Sequence, residues 1–194
     1  DGARHQLGGT LWLGAGVDDE PDGIPSAAAN SDDNADTDDE DGVTLASTYS
    51  LQDPGTVTVF ASESGLLDAW VDFNRDGDWA DPGEHIADSL PLVAGPNDVT
   101  FSPSGPPVAG LAAARFRVSS AGNLAATGLA PDGEVEDHLM QLGVTAQFDF
   151  GDAPATFPVT LAQDGPRHLL PSVLHLGSGV DAETNGVSSG SADA

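Results

Sequence analysis

Leu67-Asp68-Ala69-Trp70-Val71-Asp72-Phe73 runs directly into Asn74-Arg75-Asp76-Gly77-Asp78-Trp79. The first half is rich in residues that favour strands and predicts a β-strand. The second half places oxygen-bearing side chains at alternate positions of a tight loop. Asp72, Asn74 and Asp76 then converge on one ion, and Gly77 permits the sharp turn by taking positive φ. This is the first half of an EF-hand-like loop. The bidentate Glu of an EF-hand would fall at Gly83, and Glu84 stands one place later. The expectation is a calcium loop on a β-hairpin. Asp78 contributes by side chain or carbonyl, and Asp81 or Glu84 closes the shell. Many oxygen ligands in a flexible loop suit calcium over magnesium. Zinc would want His or Cys at tetrahedral spacing, and there is no cysteine and only five scattered histidines.

On either side of this stretch the chain reads as all-β. Thr56 to Phe60 alternates, and Ala114-Arg115-Phe116-Arg117-Val118 alternates apolar residues with arginine. His85–Val93, Val99–Phe101 and Val135–Val144 are further candidates. Asp53-Pro54-Gly55, Gly95-Pro96-Asn97 and Gly105-Pro106-Pro107 are turn signals between them. Short strands at this spacing predict a β-sandwich with long acidic, calcium-binding loops. No amphipathic helix is present; the Ala-rich stretch 109–114 is too short.

The charge balance is extreme, with 32 acidic residues against five arginines, no lysine and a formal net charge of −27. A compact fold with that charge repels itself unless cations neutralise it. The same charge argues against nucleic acid, whose phosphates need basic partners, and no stretch is long or apolar enough for membrane insertion. Without disulfides, hard cations are one remaining staple.

Two further acidic clusters follow from the same logic. The run Asp32-Asp33-Asn34-Ala35-Asp36-Thr37-Asp38-Asp39-Glu40-Asp41-Gly42-Val43 repels itself if unpaired. Asp36, Asp38 and Glu40 alternate and are candidate ligands, joined by Asp18 and Glu20. In Asp132-Gly133-Glu134-Val135-Glu136-Asp137-His138, alternation puts Glu134 and Glu136 on one strand face. They pair with Arg115 and Arg117 or serve as ligands of a second site.

The chain also repeats itself. Residues 1–31 align without gaps on residues 164–194 at an offset of 163, and fifteen of the 31 positions are identical. The matches include Arg4/Arg167, His5/His168, Leu13/Leu176, Asp18/Asp181 and Glu20/Glu183. Such a repeat predicts a tandem array, or subunits whose ends interlock. The reading divides the chain into 1–43 (end of a repeat unit and acidic segment), 44–146 (β-sandwich) and 147–194. The last part is a linker and the start of the next unit, expected to dock on a neighbouring chain or module. Arg4 and His5, with Arg167 and His168, are read as structural, the arginines as partners of carboxylates.

The segments Gly133-Glu134-Val135-Glu136-Asp137, Trp70 to Trp79 and Asp149-Phe150-Gly151-Asp152-Ala153-Pro154, with the flanking DG-x-RH…LG-x-x-VD-x-E…DDEDGV pattern, together resemble the bacterial GEVED domain. His138 stands where that family commonly has Tyr. The resemblance implies an extracellular β-sandwich from large, multidomain secreted or cell-surface proteins, with adhesive or structural use.

No GxSxG elbow and no glycine-rich phosphate loop is present, so an enzyme is not expected. The leading expectation is a structural module of an extracellular fibre or cell-surface array, stabilised by Ca2+ and self-associating through its repeats. Its partners are then copies of itself, assembled head-to-tail or by strand exchange. The rivals are a calcium-dependent adhesin that binds surface glycans, with an aromatic such as Trp79 beside the metal, and an accessory domain of a secreted hydrolase.

Overall fold

The computed structural model describes residues 2–17, 19, 41–143, 147–170, 176, 178–180, 183 and 185–191. Asp18, Glu20, Asp36, Asp38 and Glu40 lie outside the described residues. The chain divides into two compact units, Asp1–Val144 and Thr145–Ala194. The fold is all-β: among the described residues the only helical turn is a 3-10 turn at Leu161–Gln163.

In the first unit, β1 (Arg4–His5), β2 (Val43–Thr44), β3 (Tyr49–Ser50), β4 (Gly55–Ala61), β5 (Gly65–Val71), β6 (His85–Leu92), β7 (Gly95–Phe101), β8 (Gly110–Ser119), β9 (Leu129–Ala130) and β10 (Glu134–Gly143) follow in order. They form a five-stranded sheet, β3-β10-β8-β5-β6, a three-stranded sheet, β2-β4-β7, and a small parallel pair, β1-β9. The pattern of period two explains the faces. Val57, Val59, Val99 and Phe101 point inward from the three-stranded sheet. Leu67, Ala69, Val71, Phe116, Val118, Met140 and Leu142 point inward from the five-stranded one. Leu11 and Leu13, from the segment before β2, complete the same core.

β5 is buried on both faces from Leu67 to Val71. Its second face carries Asp68 and Trp70, which lie opposite Arg117 and Arg115 of β8. Gly95-Pro96-Asn97, expected as a turn, is instead the start of β7. Pro96 is tolerated because β7 is an edge strand of its sheet. The reversal falls just before it, where the Asn97 amide holds the Val93 N–H, the Val93 carbonyl and the Gly95 carbonyl.

In the second unit, β11 (Gln147–Phe150) pairs antiparallel with β12 (Arg167–Leu170). Residues 147–150, expected as linker, are therefore a strand. Their alternating Phe148 and Phe150 pack edge to face, and Glu183 is tied to Phe148 and Phe150 through the backbone. Arg167 pairs with Asp164 at 3.0 Å, as an arginine partnering a carboxylate should.

Candidate metal centre

The loop after β5 is anchored at both legs. Val71 N–H donates to the Glu84 carbonyl at 2.9 Å, and Asp72 N–H donates to Ala113 at 2.9 Å. Inside it, each polar side chain accepts from an amide slightly further on. The Asp72 carboxylate takes the Asp76 and Gly77 N–H groups at 3.2 and 3.1 Å. Asn74 takes Asp76 N–H at 2.9 Å, Asp76 takes Asp78 N–H, and Asp78 takes Ala80 N–H. These are side-chain-to-backbone turns of the kind Asn and Asp favour. Gly77 has φ +93°, as its place in the turn requires. Arg75, also left-handed at φ +60°, folds onto the start of β8 and donates to the Leu111 and Ala109 carbonyls.

The loop thereby gathers charge. Ligand oxygens of Asp76, Asp78 and Asp81 lie within 4.8 Å of one another. The Asn74 amide donates to both Asp76 and Asp81 and is the group that holds them together. Among the described residues, no arginine or histidine forms an ion pair with this cluster.

Beneath it lies Glu84, only 1% exposed. Its Oε2 accepts the Asp81 N–H at 3.3 Å, but its Oε1 is buried with no hydrogen-bond partner. Burial, and then the negative charges of Asp72 and Asp81, push its carboxyl above the usual range. Asn74, Asp81 and Glu84 line one cleft with Pro82, Ser104 and Pro106. Of the six residues expected to ligand an ion here, the structure brings the oxygens of Asp76, Asp78 and Asp81 together, with Asn74 bonded to Asp76 and Asp81; Glu84 shares a cleft with Asn74 and Asp81 but is not in that close group. Asp72 sits at their base, buried and engaged by two amides. Gly83 stands where an EF-hand would carry its Glu. Gly83 turns at φ +92° against Ser104, where a Cβ would lie 2.2 Å from that side chain.

A second group, Asp68, His85 and Asp88, brings three ligand atoms equally close. Asp68, however, is fully satisfied. Its two oxygens accept Ser89 N–H at 3.0 Å and Leu124 N–H at 3.1 Å, and His85 stacks on Trp70. Asp68 fixes the backbone at Ser89, which is left-handed at φ +50°.

The glutamates at 134 and 136 correct the sequence reading. Register sets Glu134 opposite Val118 and Glu136 opposite Phe116, so both face the core. Arg115 and Arg117 occupy the other face and pair with neither. Arg115 forms a two-pronged pair with Asp137 and lies 4.6 Å over the Trp79 ring. Arg117 is buried, and its five N–H groups go to His5 and to the carbonyls of Ala125, Thr127, Arg4 and Gly128. Glu134 accepts the Leu13 N–H instead, and Glu136 accepts Gly42 N–H at 2.9 Å and bonds His138 at 2.9 Å. Burial foremost raises the Glu136 carboxyl above its ordinary range. His138 keeps an aromatic contact, edge-on to Phe116.

His5 is structural as expected. Its Nδ1–H donates to the Asp132 carbonyl at 2.6 Å and its Nε2 accepts from Arg117 at 3.0 Å. Burial, and then the Arg117 charge, lower its pKa to about 4.

Fold and loop together define an all-β domain whose signature glutamates tie down the segment that precedes it. Residues 66–141 match the family model of the GEVED domain. Searches of curated proteins and of solved structures gave no match.

Proposed function

We propose that the chain is a calcium-stabilised β-sandwich module of an extracellular fibre or cell-surface array, self-associating through its repeated segments. The observation that carries the calcium reading is Glu84. A buried carboxylate oxygen with no hydrogen-bond partner, near the charges of Asp72 and Asp81, is costly unless something positive meets it. A hard cation with several oxygen ligands supplies that charge. It takes over from the Asn74 amide as the group holding Asp76 and Asp81 together, and it offsets part of the net charge of −27. Calcium binding to the folded loop then adds to folding free energy. The acidic set Asp18, Glu20, Asp36, Asp38 and Glu40 is proposed as a second calcium-binding segment, on sequence alone.

A structural rather than adhesive use is favoured by Trp79. The ring that a glycan-binding site would present beside the metal is covered by Arg115. The test is thermal stability in calcium and in chelator, with Glu84→Gln as control. A melt that calcium does not raise would sink the reading.

A further inference from the structure

Residues 2–17 lie in a cradle on the first unit, and most of the grip is on their backbone. Gly2 accepts from Gly128 N–H, Arg4 N–H donates to Gly128, Gln6 N–H to Ala130, and Gly14 N–H to Phe60, all at 3.0–3.2 Å. Such contacts tolerate sequence change. Four positions do not. His5 must offer an unprotonated nitrogen to Arg117. Leu11 and Leu13 enter the core, Leu13 with 0% exposure. Gly14 has φ +65°, and a Cβ there would lie 1.6 Å from the Asp41 carboxylate.

The second copy of the repeat carries the same four residues, as His168, Leu174, Leu176 and Gly177. The copies diverge where the fit is slack: Trp12, only partly buried, corresponds to His175. Yet Leu176, the counterpart of a fully buried leucine, is 96% exposed. The repeat thus keeps, at the position of a core leucine, a leucine that its own unit does not bury.

We infer that residues 164–186, on giving up the pairing of β12 with β11, are a second ligand for this cradle, and that their partner is the β-sandwich of another copy of this chain whose own residues 2–17 have left it. Exchange of equivalent segments between copies costs little, because each makes the contacts the other gives up. The inference rests on the self-association reading and is independent of calcium.

The test uses the full chain with Leu13→Ala and Leu176→Ala, which loosens the resident segment and disables the second copy. A labelled synthetic peptide of residues 164–186 is titrated against it, in calcium and in EGTA, and followed by anisotropy and by thermal melt. Saturable binding and a raised melting temperature are expected. The unaltered chain, with its cradle filled, should bind at least tenfold more weakly, and a Leu176→Asp peptide should not bind. No binding to a folded acceptor, or equal binding of the Leu176→Asp peptide, would overturn the inference. If the double variant does not fold, His5→Ala with Leu176→Ala is the acceptor, with the same expectations. Peptide binding in a chain whose melt ignores calcium would refute the calcium reading alone. A calcium-dependent melt without peptide binding would refute this inference alone.

Discussion

The Glu134 carboxylate accepts the backbone N–H of Leu13, 121 positions earlier in the chain. Two residues further along β10, Glu136 does the same for Gly42. The two glutamates therefore face away from Arg115 and Arg117 and are not their partners. They are buried acceptors that hold the preceding segment in the core. Glu134→Ala should cost about 2 kcal/mol by orphaning a buried N–H. Amide hydrogen exchange at Leu13 should accelerate more than the global loss of stability explains. Unchanged exchange there would count against the clasp.

Gly14 and Gly42 sit where that segment crosses the core. Gly14 is left-handed, and a Cβ would collide with Asp41; at Gly42 it would lie 2.4 Å from the Leu13 side chain. Gly14→Ala should destabilise by about 3 kcal/mol or more, from strain and overpacking together. Denaturant unfolding measures it, and a loss of less than about 1 kcal/mol would contradict the packing.

The His5–Arg117 bond needs a neutral imidazole. The groups around it are Arg117, Arg115, the Asp132 carbonyl and, through Arg117, Asp68 and Asp137. The folded pKa, about 4, lies below the ordinary 6.5. The unfolded chain therefore takes up the proton first as pH falls. The contribution is complete above pH 6.5 and is lost on the way down to about 4. The unaltered chain should lose up to about 3 kcal/mol relative to His5→Gln across that window. Gln keeps an acceptor for Arg117 and does not titrate. Parallel pH profiles of the two proteins would disprove the role.

Much of the fold was legible in the sequence. Alternation located β4 and β8, and strand-forming composition located β5, while Val135–Val144 fell on β10. Spacing found the Asp72–Glu84 loop, because a turn rich in Asn and Asp is a local structure. What was not legible is register. Glu134 and Glu136 alternate like Arg115 and Arg117, and only the pairing of Glu134 with Val118 shows that the two sets face opposite sides. The cradle for residues 2–17 was equally hidden, since its contacts are mostly to backbone and join residues more than a hundred positions apart. The repeat was visible, but that Leu13 is buried while Leu176 is exposed belongs to the structure.

Glu84 allows a prediction in which the sign changes. Without calcium one oxygen of its buried carboxylate has no hydrogen-bond partner and the charges of Asp72 and Asp81 lie close, so Glu84→Gln should leave the chain as stable or slightly more stable in EGTA. With calcium the same change removes a ligand and should lower the melting temperature relative to the unaltered chain. Destabilisation of the same size in both conditions would assign Glu84 a packing role only.

The most direct test of the central claim is the melting temperature of the full chain in saturating calcium against excess EGTA. Calcium at about one hundred times its Kd should contribute about 2.7 kcal/mol, a rise of roughly 10 °C for a unit of this size, and Asp76→Asn with Asp81→Asn should abolish it. Superimposable melts in calcium and EGTA would contradict the account.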